Sequence, residues 1–185
     1  MRIPGLLLAS LIAAMPLTAQ EGVKWVGAQV GFQAQGPDSR GAKSATLFGA
    51  GGGVWFTDRW GADAAFRVAN IDSNKGLGSG SQQYLTAAVL FNFLPNDKQW
   101  NLYAKAGFGS VRVEPPWSGS KDTTTKSVTL AGVGAQYRIG ASGMLGAEVQ
   151  LMRFNADYHE WPVVFTAGWR FGGVAKPAPR PAPKK

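Results

Sequence analysis

The sequence predicts an all-β protein: an eight-stranded antiparallel up-and-down transmembrane β-barrel. Three observations predict it. Apolar residues recur at every second position through eight segments, the intervals between those segments alternate long and short, and the face opposite the apolar one carries little charge. Composition agrees. The 185 residues allow one ordinary domain, and 16% charged residues with 25 glycines and 11% aromatics departs from a soluble domain, where charge is typically about 25%.

The chain opens as a secretory signal peptide, assigned to residues 1–19. Met1-Arg2 supplies the positive start, residues 6–14 are uncharged and apolar, and small Ala19 follows Leu17-Thr18 at the expected cut. That apolar stretch is too short to cross about 30 Å of hydrocarbon, and no later stretch reads as a membrane helix. The sequence has no Cys, which excludes a lipidated cysteine at the mature N-terminus, disulfides, thiolate metal sites and thiol redox chemistry.

The strand segments follow in order. Residues 26–34 place Val26, Ala28, Val30, Phe32 and Ala34 on one face, with Gly and Gln between them. Residues 46–57 set Phe48, Ala50, Gly52, Val54 and Phe56 against Gly49, Gly51, Gly53 and Trp55. Residues 60–68 oppose Trp60, Ala62, Ala64, Phe66 and Val68 to Gly61, Asp63, Ala65 and Arg67. Residues 85–93 align Leu85, Ala87, Val89, Phe91 and Phe93, and here Leu90 falls on the otherwise polar face. Residues 100–109 repeat the scheme, with Lys105 opposite the apolar set. Residues 129–137 put Ala131, Val133, Ala135 and Tyr137 against Gly132, Gly134 and Gln136. Residues 145–151 oppose Leu145, Ala147, Val149 and Leu151 to Gly146, Glu148 and Gln150, and residues 163–171 oppose Val163, Phe165, Ala167, Trp169 and Phe171 to Thr166, Gly168 and Arg170. Each segment is close to the ~9–11 residues that a tilted strand needs to span a membrane.

Long connections at 35–44, 70–81, 111–126 and 155–162 alternate with short ones at 58–59, 95–99 and 140–142. Long loops at one barrel end and tight turns at the other produce that alternation. The same reading puts the barrel at 20–173 in the outer membrane, with the loops extracellular and the turns periplasmic. A Pro/Ala/Lys-rich tail at 174–185 joins the turns in the periplasm. It is expected to be extended and solvated.

Period two also builds water-soluble barrels, so the faces must be assigned. A solvated face would be crowded with Lys, Glu, Asp and Arg. The non-apolar face here is mostly Gly, Gln, Thr and Tyr, which suits an eight-stranded interior just wide enough to be filled by side chains. The apolar face therefore meets lipid. On it Phe56, Trp60, Phe93, Trp100, Tyr137, Trp169 and Phe171 cluster beside the short turns, as interfacial aromatics do, and Phe32, Phe66 and Phe108 lie near the long loops.

The strand order resembles the OmpA-like transmembrane β-barrel family, the small outer-membrane barrels that include the Ail/Lom and opacity-type proteins. The residues that carry the resemblance are the turn Phe56-Thr57-Asp58-Arg59-Trp60-Gly61, the strand from Leu102-Tyr103-Ala104-Lys105 to Gly109, and Gly132-Val133-Gly134-Ala135-Gln136-Tyr137-Arg138. The closing Ala167-Gly168-Trp169-Arg170-Phe171 is similar to the family's last strand. The resemblance implies that Phe171 is the signal read by the barrel-assembly machinery, and that interior ion pairs are present. Full OmpA proteins continue through a Pro/Ala linker into a peptidoglycan-binding domain; here Pro177 to Pro183 leads to Lys184-Lys185.

Asp63, Arg67, Lys105, Glu148 and Arg170 share the inward face and are expected to form an ion-pair network plugging the lumen, since an unpaired buried ion costs several kcal/mol. His159 is expected in a solvated loop. A lipid hydrolase would need a serine such as Ser110 or Ser118 beside it. The glycines at 49–53 read as lumen spacers and not as a phosphate loop, because no helix starts there. Of the formal charge of +8, Arg2 and the tail residues Lys176, Arg180, Lys184 and Lys185 account for five. The remainder forms no basic stripe, which argues against nucleic acid as a partner. The expected partners are outer-membrane lipid, lipopolysaccharide, the barrel-assembly machinery and an unidentified extracellular ligand of the loops. No cofactor or metal is expected. The expected role is non-enzymatic: structural, adhesive or surface-interacting. A small gated pore and, behind it, a lipid-modifying enzyme are the alternatives.

Overall fold

In a computed structural model that describes residues 22–35, 45–72, 79–94, 98–114, 123–154 and 159–172, eight antiparallel strands form one closed barrel. They are β1 (Val23–Gln35), β2 (Ala45–Trp55), β3 (Trp60–Asp72), β4 (Ser79–Asn92), β5 (Trp100–Glu114), β6 (Thr124–Ile139), β7 (Gly143–Arg153) and β8 (His159–Phe171). Each strand pairs with the next, and β1 closes on β8 from Lys24↔Phe171 to Gln35↔Glu160. Closure leaves no row of unpaired N–H and C=O groups, which lipid cannot solvate. The expected signal peptide at 1–19 and the expected tail at 174–185 lie outside the described residues.

The strands run 11 to 16 residues and continue past the ends that alternation marks. β3 reaches Asp72, β4 starts at Ser79, β5 extends to Glu114, β6 starts at Thr124 and β8 at His159. These extensions lie inside the expected loops 70–81, 111–126 and 155–162. Their side chains are largely polar, so hydrophobic periodicity fades there, while the backbone ladder continues because it needs no particular side chain. Pro162 lies within β8 and not at a loop end. It pairs with Gln33 on β1, and the β7–β8 ladder skips from Val149↔Val163 to Met152↔Glu160 around it, as a residue without an N–H requires.

The turns are built locally. In the β2–β3 turn the Thr57 hydroxyl oxygen accepts from Arg59 N at 3.2 Å and Trp60 N at 2.9 Å, while Phe56 N donates to Trp60 O at 2.8 Å. Gly140 opens the β6–β7 turn with φ +59°, a left-handed conformation that suits glycine.

Polarity is inverted relative to a water-soluble protein. Outward Phe108 is 72% exposed and Trp169 64%, whereas inward Arg67 is 1% exposed and Gln150 0%. The interior is layered. Trp25, Trp55, Leu90, Tyr103 and Met144 pack together towards the turn end, and Leu47, Ala69, Ala88, Val111, Val128, Leu130, Met152 and Val164 pack towards the loop end. The inward face is thus more apolar than its Gly, Gln and Thr content suggests. Leu90, the misfit in the fourth segment, belongs to the turn-end layer.

Glycine makes room for these large side chains. A Cβ at Gly134 would stand 2.6 Å from the Tyr103 ring and hydroxyl, and one at Gly53 2.7 Å from Trp25 Nε1. Gly134→Val is expected to lower the unfolding free energy by ~1–3 kcal/mol, the usual cost of overpacking. Urea titration of the refolded barrel checks this, and a variant as stable as the wild type would show that the contact relaxes.

Candidate functional site in the barrel lumen

Between the two apolar layers lies a polar one, centred on Glu148 of β7. Its carboxylate accepts from Arg67 NH2 at 3.1 Å, from Lys105 Nζ at 2.9–3.0 Å and from the Tyr103 hydroxyl at 2.9 Å. The Gln150 amide also donates to it. Arg67 completes its fork through Nε to Gln29 Oε1 at 2.7 Å and NH1 to Gln150 Oε1 at 3.0 Å. Lys105 further donates to Asp63 Oδ2 at 3.3 Å. Two cations and two anions therefore share one buried layer with nearly every donor directed at an acceptor. Charge-assisted bonds of this kind are the strong ones, and a satisfied network fixes its members in place.

The placement follows strand number. Gln29 is on β1, Asp63 and Arg67 on β3, Tyr103 and Lys105 on β5, and Glu148 and Gln150 on β7. The intervening strands contribute Gly51 and Gly53, Thr86 and Ala88, Gly132 and Gly134, and Thr166 and Gly168. Long side chains from alternate strands meet over small ones from their neighbours, which suits the width of an eight-stranded lumen.

Four of the five expected charged residues are joined. Arg170 faces the same lumen but lies well beyond Val164, the register partner of Glu148, towards the turn end. There it pairs with Trp25 across β1–β8, and its backbone N–H donates to Ser142 O at 2.6 Å. The expectation omitted Gln29, Tyr103 and Gln150. Gln150 stands two residues from Glu148 on one strand face, and that spacing is the signal that could have found it.

A second polar layer closes the loop end. The Tyr84 hydroxyl meets Glu160 Oε2 and Gln33 Oε1, each at 2.9 Å, as well as Gln82, and Gln33 Nε2 donates to Gln82 Oε1 at 3.1 Å. A phenol donates only once, and the Glu160 carboxylate is its strongest acceptor. Glu160 escaped notice because its stretch reads as loop.

On the outside, Phe56, Trp60, Phe93, Trp100, Tyr137, Trp169 and Phe171 gather at the turn end, and Phe91 joins them. Trp60 meets Phe91 at 4.9 Å, Phe91 meets Phe93 at 5.7 Å, and Trp100 meets Tyr137 at 4.6 Å between ring centroids. His159 is not in a solvated loop: it begins β8, half-buried, with Arg153 as register partner and Trp161 edge-on at 6.3 Å. Ser110 lies on β5, which does not border β8, so it does not reach His159. Ser118 lies outside the described residues.

Residues 5–171 match the family model for the outer membrane protein beta-barrel domain. The chain belongs to that family. This outer-membrane barrel is similar in fold to several solved structures. The N-terminal barrel domain of OprF from Pseudomonas aeruginosa is 16% identical with a TM-score of 0.59, over 82% of this chain and 98% of that one. Neisserial surface protein A is 12% identical at 0.62, over 81% and 97%. Ail, the attachment invasion locus protein of Yersinia pestis, crystallised with the heparin analogue sucrose octasulfate, is 19% identical at 0.52, over 82% and 98%. No curated protein matches the chain in sequence.

Glu148→Ala leaves Arg67 and Lys105 facing each other across a buried layer. Unfolding stability in lipid or detergent is expected to fall by ~3–5 kcal/mol. Adding Arg67→Met should recover part of the loss, because it removes a charge that the first change leaves uncompensated. Strictly additive losses in that double-mutant cycle would show that the residues do not act as a network.

Proposed function

We propose that the protein is a non-enzymatic outer-membrane barrel that works through its ends, its loops facing outside the cell to give structural support or an adhesive surface. The turns and the C-terminal tail face the periplasm. The observation that carries this is the filled lumen: four stacked layers of side chains, with Arg67, Val111, Gln150, Glu160 and Val164 at most 1% exposed. With the interior committed to packing, the connecting segments are what the barrel has to offer a partner. Fold-level likeness to Ail, whose name records attachment, supports the adhesive form of the reading. The strand alternation and the turn-end aromatic girdle support the orientation.

Cells expressing the wild type are compared with cells expressing a variant lacking residues 118–122. Both proteins are expected in the outer-membrane fraction with heat-modifiable migration, and epitope tags in the long loops should be accessible on intact cells. Adhesion or surface integrity should fall in the loop deletion alone. Tags in the turns labelling on intact cells would reverse the orientation, and an unchanged deletion phenotype would remove the surface role.

The pore is the second reading, favoured by the charged middle layer, whose members could exchange partners. The filled lumen opposes it, and the purified wild type in planar bilayers is expected to give little or no steady conductance. Large, stable single-channel steps would put the pore first.

Assembly is proposed to depend on Phe171, which ends β8 on the lipid-facing parity and is about half exposed. Phe171→Asp should reduce insertion, whereas truncation after Gly173 should leave it intact. Loss of insertion on truncation would assign the assembly signal to the tail.

A further inference from the structure

We infer that bound water occupies the lumen on the turn side of the Glu148 network while the loop side stays dry, so that the buried charges meet solvent from one end only. The inference goes beyond the surface role proposed above and holds for either orientation of the barrel.

The stagger of the strands gathers one set of polar atoms. Traced from partner to partner through the eight ladders, Trp25 returns to β1 at Gln35, ten residues from where it began. Residues at one height therefore lie a little over one position nearer the turns on each successive strand. That offset brings Trp25, Trp55, Asn92 and Gln136 level with Met144, all on the inward parity and none more than 5% exposed. Each of the first four carries a buried polar atom that meets no hydrogen-bonding group of the protein: Nε1 of Trp25 and of Trp55, Oδ1 of Asn92 and Oε1 of Gln136. Asn92 is anchored through its other amide atom, Nδ2, which donates to Asp58 O at 3.4 Å. There is room beside Gln136. Its register partner is Gly146, where a Cβ would stand no nearer than 3.5 Å to the neighbouring strands, against 2.6 Å at Gly134.

The chemistry of the set selects its ligand. A buried polar atom left unpaired costs free energy, and ordered water is the usual partner where the protein supplies none. An indole only donates and an amide oxygen only accepts. An anion would meet the two amide oxygens, and a cation would face Arg138 and Arg170, one inward step nearer the turns on β6 and β8. Water is neutral and does both. The loop side differs. The lid atoms of Gln33, Gln82, Tyr84 and Glu160 bond one another, and none of them is a buried atom without a partner. Ala69, Val111 and Val164 in the apolar layer beneath that lid are 0% exposed. Tyr103 joins the wet layer to the charges: its ring packs with Trp25 and Trp55, and its hydroxyl donates to Glu148 at 2.9 Å.

The test uses the full chain, refolded in detergent micelles with its tryptophan, asparagine and glutamine nitrogens isotopically labelled. Magnetisation transfer from water to side-chain N–H groups is read by NMR. Cross-peaks to water are expected at the Trp25 and Trp55 indoles and at the Asn92 and Gln136 amides, and none at the Gln33 and Gln82 amides of the loop-end lid. Gly146→Ala places a methyl group beside Gln136, so the Gln136 cross-peak should be lost while those of the indoles persist. A dry lumen would behave in the opposite way: no water signal at either indole or at Gln136, and a raised unfolding midpoint in Gly146→Ala because the methyl fills a void. That outcome would overturn the inference. So would cross-peaks of equal strength at Gln33 and Gln82, which would make the lumen wet throughout, and a Gln136 cross-peak that survives Gly146→Ala counts against the seat. Should Gly146→Ala not fold, the wild-type spectrum decides alone.

Discussion

Closure of β1 on β8 is the constraint from which the other features follow. In hydrocarbon an unpaired N–H or C=O has nothing to bond to, so a sheet can cross a membrane only when its last strand returns to its first. The β1–β8 ladder, running from Lys24↔Phe171 to Gln35↔Glu160, meets that requirement. Closure at eight strands then sets the bore, and the bore decides what the inward face can hold. A lumen this narrow has to be filled from its own wall, because an empty apolar void forfeits contacts and a dry unpaired charge costs more.

The filling follows a rule of alternate strands. β1, β3, β5 and β7 send Gln29, Asp63, Arg67, Tyr103, Lys105, Glu148 and Gln150 across the axis, while β2, β4, β6 and β8 withdraw with Gly, Ala and Thr at that level. A glycine in such a barrel is therefore a volume decision. Gly134 matters because the Tyr103 ring occupies the space where its side chain would be, and Tyr103 matters because its hydroxyl reaches Glu148. Small-residue and charged positions are two halves of one packing solution.

The same geometry separates the inside from the ends. The middle layer balances two cations with two anions, which favours cross-linking of strands over ion selection. It is bounded by the Trp25, Trp55, Leu90, Tyr103 and Met144 layer on one side and by Leu47, Val111, Val128, Leu130 and Met152 on the other. What is left to interact with the surroundings is the rim of loops, the rim of turns and the lipid-facing wall between them.

The sequence by itself determined the strand count, the up-and-down order, the inside-out polarity, the lumen-facing charges and the aromatic girdle. All of these are period-two properties of local stretches: parity along one strand assigns a side chain to lipid or lumen without knowledge of its neighbours. The tertiary structure alone decided which inward residues meet. Arg67 and Glu148 are 81 positions apart, and their contact exists because closure and register bring β3 and β7 to face each other across the lumen. The same cause brings Glu160 and Tyr84 together from stretches 76 residues apart. Strand ends escaped the sequence for a different reason. Past the alternating segments the ladder continues through backbone pairing, which leaves no periodic mark on side chains.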